Sequence, residues 1–140
     1  MARKIDFRGA RVAIDESVHS IYEELVSRSA EKAEDFPFIR MKDLFMFACC
    51  LGVKHKRYEE PSKLKVIFSG EVFDDEIDVP MLCAMAYAKE KNLEGLFDPV
   101  KVIKICQGWA NGGILYFSMM SKNAGRNNIQ KICNFLYDNA

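Results

Sequence analysis

The sequence is poor in the features that point directly to a function. Its 140 residues include one tryptophan, four prolines and two histidines, and 20 lysines and arginines balance 20 aspartates and glutamates. No stretch reaches the ~18 consecutive apolar residues that a membrane helix needs, since the longest candidate, 44–53, has ten. We therefore expect no membrane span. The neutral total excludes a protein that is basic throughout, although it leaves room for a basic face.

The N-terminal segment and the cysteines exclude further classes of protein. The first fifteen residues contain no apolar run of seven or more, so we expect no signal peptide and a cytoplasmic location. The cysteines show neither a CxxC motif nor a Cys/His zinc spacing, which favours reduced, buried side chains. We expect no metal and no cofactor. The five cysteines are Cys49, Cys50, Cys83, Cys106 and Cys133.

Size and composition predict one compact domain. A chain of this length buries about 70% of its unfolded surface, and 49% hydrophobic with 29% charged residues is typical of a globular protein. The sequence has no internal repeat and no Gly/Ser linker, so we interpret residues 1–140 as a single helical domain. The fold class predicted from apolar spacing is mainly α, with five to six helices.

The first two helices are predicted from their apolar spacing. One should span 16–31 after Asp15, a suitable N-cap, because its apolar residues recur every three or four positions. The segment 41–53 is apolar on nearly every side of the helical wheel, as expected of a central helix. Gly52 should help to end that helix and deliver the basic residues 54–57 at its C-terminus.

Proline and capping residues predict the later helices. Pro80 suits the first turn of a helix that runs to about Lys91, and Asp98-Pro99 gives the next one a capping side chain and a fixed φ. Gly112-Gly113 lies inside that helix, where a glycine costs up to ~1 kcal/mol relative to alanine. We therefore expect a bend or a close backbone approach there. The last helix, 126–140, carries an apolar stripe on Ile129, Ile132, Cys133 and Leu136.

Residues 63–73 have β character. The segment KLKVIFSGEVF alternates apolar and polar residues and contains β-branched side chains around Ser69-Gly70. This pattern indicates a short β-hairpin or an extended excursion between two helices.

Charge is segregated along the chain. Residues 36–66 hold seven basic and three acidic residues, a net charge of +4, whereas 67–98 hold two basic and eight acidic residues, a net charge of −6. Patches of this kind can bind polyanions, can suit an electrostatically complementary partner or a second copy, or can simply pair with each other. The pattern leaves these outcomes open.

The basic segment supplies the candidate binding residues. Side chains that leave a buried helix at its C-terminus would form a fixed group able to neutralise phosphates without reading bases. His55 lies inside this run and is either a phosphate or partner contact or a solvated loop residue. The candidates for contact with nucleic acid or a partner are Arg40, Lys54, His55, Lys56, Arg57, Lys63 and Lys65.

An enzyme site is harder to find. The acidic residues Asp74, Asp75, Glu76 and Asp78 could gather a divalent cation in a metal-dependent nuclease, but they show no EF-hand spacing and no nuclease signature. An exposed acidic loop before the Pro80 helix is the simpler interpretation. The histidines have no nucleophilic partner at a recognisable spacing. We predict no catalytic residue.

Two segments carry a resemblance to a known family. RMKDLFMFACCLGVKHK, residues 40–56, and QGWANGGIL, residues 107–115, resemble the small DNA phosphorothioation-associated proteins known as Dnd system-associated protein 4. The similarity runs loosely from 16 to 118, and Cys49-Cys50 stands where small residues such as alanine are expected. The resemblance implies a bacterial accessory protein, encoded beside systems that replace a DNA phosphate oxygen with sulphur or that restrict unmodified DNA in antiphage defence. It implies no catalytic site.

Three functions follow from these features. The first is a non-enzymatic accessory or adaptor protein that acts through other proteins of the modification and restriction system, with weak binding to the DNA backbone and a capacity for self-association. The second is a direct DNA-binding module that uses the basic run 54–65. The third, less favoured, is a metal-dependent nuclease component.

Overall fold

The mainly α fold class with a small β element is confirmed by the structure, a computed structural model that describes residues 5–26, 37–121 and 127–139. Across these residues, five α-helices accompany a two-stranded antiparallel sheet. In chain order the elements are β1 (Arg11–Asp15), α1 (His19–Leu25), α2 (Met41–His55), β2 (Leu64–Ser69), α3 (Asp78–Glu90), α4 (Pro99–Met120) and α5 (Asn128–Asp138).

The helices α2 and α4 pack against each other at the centre of the core. Gly52 on α2 lies against the Trp109 carbonyl, and Gly113 on α4 lies against the Ala48 carbonyl, so a Cβ at either glycine would overlap the partner's backbone. The close approach predicted at Gly112-Gly113 is therefore confirmed, and the helix continues without a break to Met120. Leu44, Phe45 and Ile114 are fully buried in this core.

The strand predicted near 63–73 pairs with a distant segment. Residues of β2 lie opposite β1, with Val12 facing Phe68 and Asp15 facing Leu64. Ser69 does not reverse the strand, because its hydroxyl caps a single turn of 3-10 helix, Gly70–Val72, that leads towards α3. Val12 and Phe45 belong to the same buried cluster, so the sheet covers one side of the helical core.

The first helix is shorter than predicted. Asp15 acts as the N-cap of a 3-10 turn, Glu16–Val18, as expected, but α1 ends at Leu25. Val26 is extended and forms a bridge with Phe38, whose N–H donates to the Leu25 carbonyl over 3.1 Å. The helical extent predicted beyond Leu25 is thus wrong at Val26, and the remaining predicted residues, 27–31, lie outside the described residues.

The last helix buries one residue of the predicted stripe, Ile132, and leaves the other three exposed. Ile132 and Phe135 are its buried residues, whereas Ile129, Cys133 and Leu136 are exposed. The aromatic rings decide this orientation, because Phe135 packs on Phe117 of α4 at a ring distance of 5.1 Å. Across the described residues, no helix combines the length and the apolar composition that a membrane crossing requires.

Candidate functional site

The C-terminal end of α2 presents the basic run as a fixed turn. The helix ends at His55, and Lys56 adopts a left-handed conformation with φ 54°. The Arg57 N–H then donates to the Gly52 carbonyl over 2.8 Å, which closes the turn. Lys54, Lys56 and Arg57 are all exposed. The backbone therefore sets where these three cations leave the fold.

The segment after α2 rests on the middle of α4. The Glu59 N–H donates to the Gly108 carbonyl over 3.1 Å, and the Asn111 side-chain amide donates to the Glu59 carbonyl over 3.1 Å. A Cβ at Gly112 would overlap the Arg57 carbonyl, and one at Gly108 would overlap the Tyr58 ring. The bare backbone of α4 thus makes room for this segment.

Two aromatic rings hold cations at this surface. The Arg57 guanidinium lies 4.9 Å from the centre of the Tyr116 ring, and the Lys89 ammonium lies 4.3 Å from the centre of the Tyr58 ring. Such cation–π contacts orient a charged group without neutralising it. Burial, together with the nearby Glu60 carboxylate, raises the pKa of Tyr58, which stays a neutral phenol.

We name Lys54, Lys56, Arg57 and Lys89 the basic surface. Two of them, Lys56 and Arg57, line a hollow of about 410 Å³ between the segment after α2 and one side of α4, whose lining also includes Tyr58 and Tyr116. Within the described part of the chain, none of the four cations forms an ion pair with a carboxylate. Glu59 also lines the hollow, so the lining holds one carboxylate beside the two cations.

His55 sits beneath this surface instead of projecting from it. Its imidazole packs on Tyr116 with ring centres 4.5 Å apart, and on Phe135 at 6.3 Å. The Nε2 atom is buried and has no hydrogen-bond partner among the described residues. Its role as a phosphate or partner contact stays a prediction, and the position found for it is half-buried.

The other candidate residues lie apart from the basic surface. Arg40 is at the opposite end of α2, roughly 22 Å away at 1.5 Å per residue, and its Nε is 3.5 Å from Asp43. Lys63 pairs with Glu16 over 3.3 Å. Lys65 is exposed on β2, opposite Ile14 of β1. The structure therefore groups 54–57 and adds Lys89, which sequence reasoning missed because it lies in the acidic segment.

One comparison with known proteins finds a family to which the sequence is similar. A family model described as DNA sulphur modification system-associated protein 4 matches residues 11–140. The chain belongs to this family. The match confirms the resemblance noted in the sequence and extends it through the last helix. No curated protein and no solved structure matches the chain.

Family membership associates the chain with a DNA sulphur modification system. The two segments that carry the resemblance are 40–56, which covers all of α2 with its capping residues, and 107–115, which is the middle of α4. They include Gly52 and Gly113, whose backbones make the tight helix contact. The residues that carry the resemblance are therefore, in this chain, those of the α2 and α4 helix pair at the centre of the core.

Two of the acidic candidates, Asp74 and Asp78, accept hydrogen bonds through their carboxylates. The Asp78 carboxylate is buried, accepts from the Lys42 ammonium at 2.6 Å and also accepts from the Asp74 N–H at 2.8 Å. The Asp74 carboxylate in turn accepts from the N–H groups of Glu76 and Ile77. In the described ranges, no group of three or more His, Cys, Asp or Glu side chains could hold a metal ion.

The cysteines divide between core and surface. Cys49 and Cys106 are buried, and the Cys49 thiol donates to the Cys106 carbonyl over 3.3 Å. Burial raises the pKa of the Cys49 thiol, so the reactive thiolate is disfavoured. Cys50 and Cys133 are exposed, which corrects the expectation that the cysteines are buried. All five are free thiols.

Proposed function

We propose that this chain is an accessory protein of a DNA sulphur modification system and acts by binding, not by catalysis. In this role the basic surface contacts the phosphate backbone of DNA, and other surfaces contact proteins of the same system. The observation that carries the proposal is the grouping of Lys54, Lys56, Arg57 and Lys89, without a paired carboxylate among the described residues, beside two aromatic rings.

The chemistry of this surface suits phosphate better than base edges. Lysine and arginine are the usual phosphate contacts, and two of these cations are held in place by Tyr58 and Tyr116. Four contacts would give a slope of log affinity against log salt of about −3.6, since each phosphate neutralised on duplex DNA contributes about −0.9. Binding of this kind is weak and independent of sequence, as an accessory role requires.

Fluorescence anisotropy with a labelled duplex, titrated at several salt concentrations, tests the DNA contact. We expect the triple variant Lys54→Ala, Lys56→Ala, Arg57→Ala to lose most of the affinity and to flatten the salt slope by about 2.7. The matched control, Lys63→Ala, Lys65→Ala, Lys101→Ala, removes the same charge from exposed positions outside the basic surface and should keep the slope. Equal losses in both triples would contradict a localised phosphate contact.

A further inference from the structure

An apolar groove lies between the two-stranded sheet and α4. It has a volume of about 440 Å³ and runs between the two strands and the first half of α4. Its apolar lining includes Leu64, Val66 and Val100, which are 61%, 52% and 68% exposed. Three large aliphatic side chains left open along one groove form the kind of continuous apolar patch that marks an interaction site.

The rim of the groove carries cations. Arg11 on β1 and Lys104 on α4 are exposed, and neither forms an ion pair within the described ranges. Glu60 is the carboxylate at the rim, near the start of β2. The groove floor itself is fixed, because the Ala13 N–H donates to the Gln107 side-chain oxygen over 2.8 Å. A matching ligand would be apolar with carboxylates at one end.

The helix α3 presents a surface of that description. Leu82, Met85 and Ala86 face the core, where the Trp109 indole N–H donates to the Met85 carbonyl over 2.9 Å. The opposite side is also apolar, with Ile77 65% exposed and Met81 40% exposed. Ile77, Met81 and Ala84 fall at i, i+4 and i+7, so they share one face of the helix. We name this exposed face the α3 stripe.

The α3 stripe begins with negative charge. Asp75 and Glu76 precede Ile77 directly and are exposed. The Asp6 carboxylate first, and the Asp75 carboxylate to a smaller degree, raise the pKa of Arg8, which stands just before the groove residues Gly9 and Ala10. The acidic start of α3 and one end of the apolar groove therefore lie on neighbouring parts of the surface. That neighbourhood lets both features belong to one self-complementary face.

We propose that the apolar groove binds the α3 stripe of a second copy of this chain, in a two-fold dimer. A helix with anchors at i, i+4 and i+7 is a recurrent ligand of apolar grooves, and the carboxylates of Asp75 and Glu76 would meet Arg11 and Lys104 of the second copy. A two-fold axis uses each groove and each stripe once, so it closes the assembly. The inference does not depend on DNA binding.

The oligomeric state of the full chain tests this directly. By sedimentation velocity over micromolar concentrations, we expect a dimer for the natural chain and a monomer for Val100→Glu and for Met81→Glu. Both substitutions are at exposed positions, and circular dichroism would verify that the variants are folded. The basic-surface triple variant should stay dimeric. A natural chain that is monomeric throughout would overturn the proposal.

A charge exchange identifies the contact itself. We expect Arg11→Glu, Lys104→Glu and, separately, Asp75→Lys, Glu76→Lys each to weaken the dimer at least about tenfold by like-charge repulsion. Mixing the two variants should restore a heterodimer, because each groove then meets a stripe of opposite charge. Dimers that survive both double variants would show that another face forms the contact. A mixture of the two variants that stays monomeric would show that the groove and the stripe do not bind each other.

Discussion

The two ends of α2 carry similar charges and use them differently. At the N-terminal end, Lys42 is buried against Asp78 and Arg40 pairs with Asp43. At the C-terminal end, Lys54, Lys56 and Arg57 have no paired carboxylate within the described residues and project outward. Cations that are neutralised inside a fold contribute to its geometry, whereas cations without partners remain available to a ligand. Position, and not composition, separates the two groups.

The largest expected effect is at the neutralised end. Asp78→Ala would leave the Lys42 ammonium buried without its partner and would orphan the Asp74 N–H. We expect a loss of about 3–5 kcal/mol in the free energy of unfolding, measured by urea denaturation. Glu71→Ala, at an exposed carboxylate of the same acidic segment, should change the free energy of unfolding by less than about 0.5 kcal/mol. A loss below about 1 kcal/mol for Asp78→Ala would show that the Lys42–Asp78 pair stabilises the fold no more than a surface ion pair does.

A second buried charge offers a smaller test of the same distinction. The Asp15 carboxylate accepts hydrogen bonds from the N–H and hydroxyl groups of Ser17 and Ser62 over 2.7 to 3.1 Å. The Ser17 hydroxyl first, and the other donors with it, hold the pKa of Asp15 well below its usual range. Because the folded pKa is depressed, the stabilisation is present above the unfolded pKa of ~3.9 and is lost as pH falls below it.

Because a neutral amide cannot keep all four charge-assisted hydrogen bonds, we expect Asp15→Asn to lower the free energy of unfolding by about 1–2 kcal/mol at pH 7. The same variant should lose less additional stability than the natural chain between pH 5 and pH 3, as urea midpoints at each pH would record. Asp138→Asn, at an exposed position on α5, is the control and should follow the natural chain. An Asp15→Asn acid profile parallel to the natural one would contradict the linkage.

The smallest effect is expected at the unpaired end. Tyr116→Leu removes the ring beneath Arg57, a contact of about 0.5–1 kcal/mol, so DNA affinity should fall about two- to fivefold. The salt slope should stay unchanged because no cation is lost. Tyr116→Phe keeps the ring and should bind like the natural chain. A loss equal to that of Arg57→Ala would mean that the ring itself contacts the DNA.

The sequence predicted the helical core because its signals are local. The all-round apolar segment 41–53 became α2, and Asp98-Pro99 started α4 as expected, with the Asp98 side chain accepting from the Val100 N–H. The partner of β2 could not be found this way. Residues 11–15 lie about fifty positions away, and the residue spacing within either strand does not predict which strand it pairs with.

Long-range contacts also explain what was missed in the site. Lys89 joins the basic surface through the Tyr58 ring, a contact between residues far apart in sequence. Lys42 and Asp43 are adjacent charged residues in the first turn of α2, and only the fold shows that Lys42 is the buried one, with Asp78 as its partner. The buried face of α5 was misassigned because Phe135 is buried by packing on the rings of Phe117 and Tyr116, which lie on α4.

The contact at Gly112 links the buried helix α4 to the position of the basic surface. There the Arg57 carbonyl rests on bare helix backbone, so the height of the basic surface above α4 is set by one missing methyl group. Any side chain at this position would push the segment after α2 away from α4. The cations of that segment would move with it. A substitution at Gly112, a residue without charge, would thus change the distances between the cations that we propose as phosphate contacts.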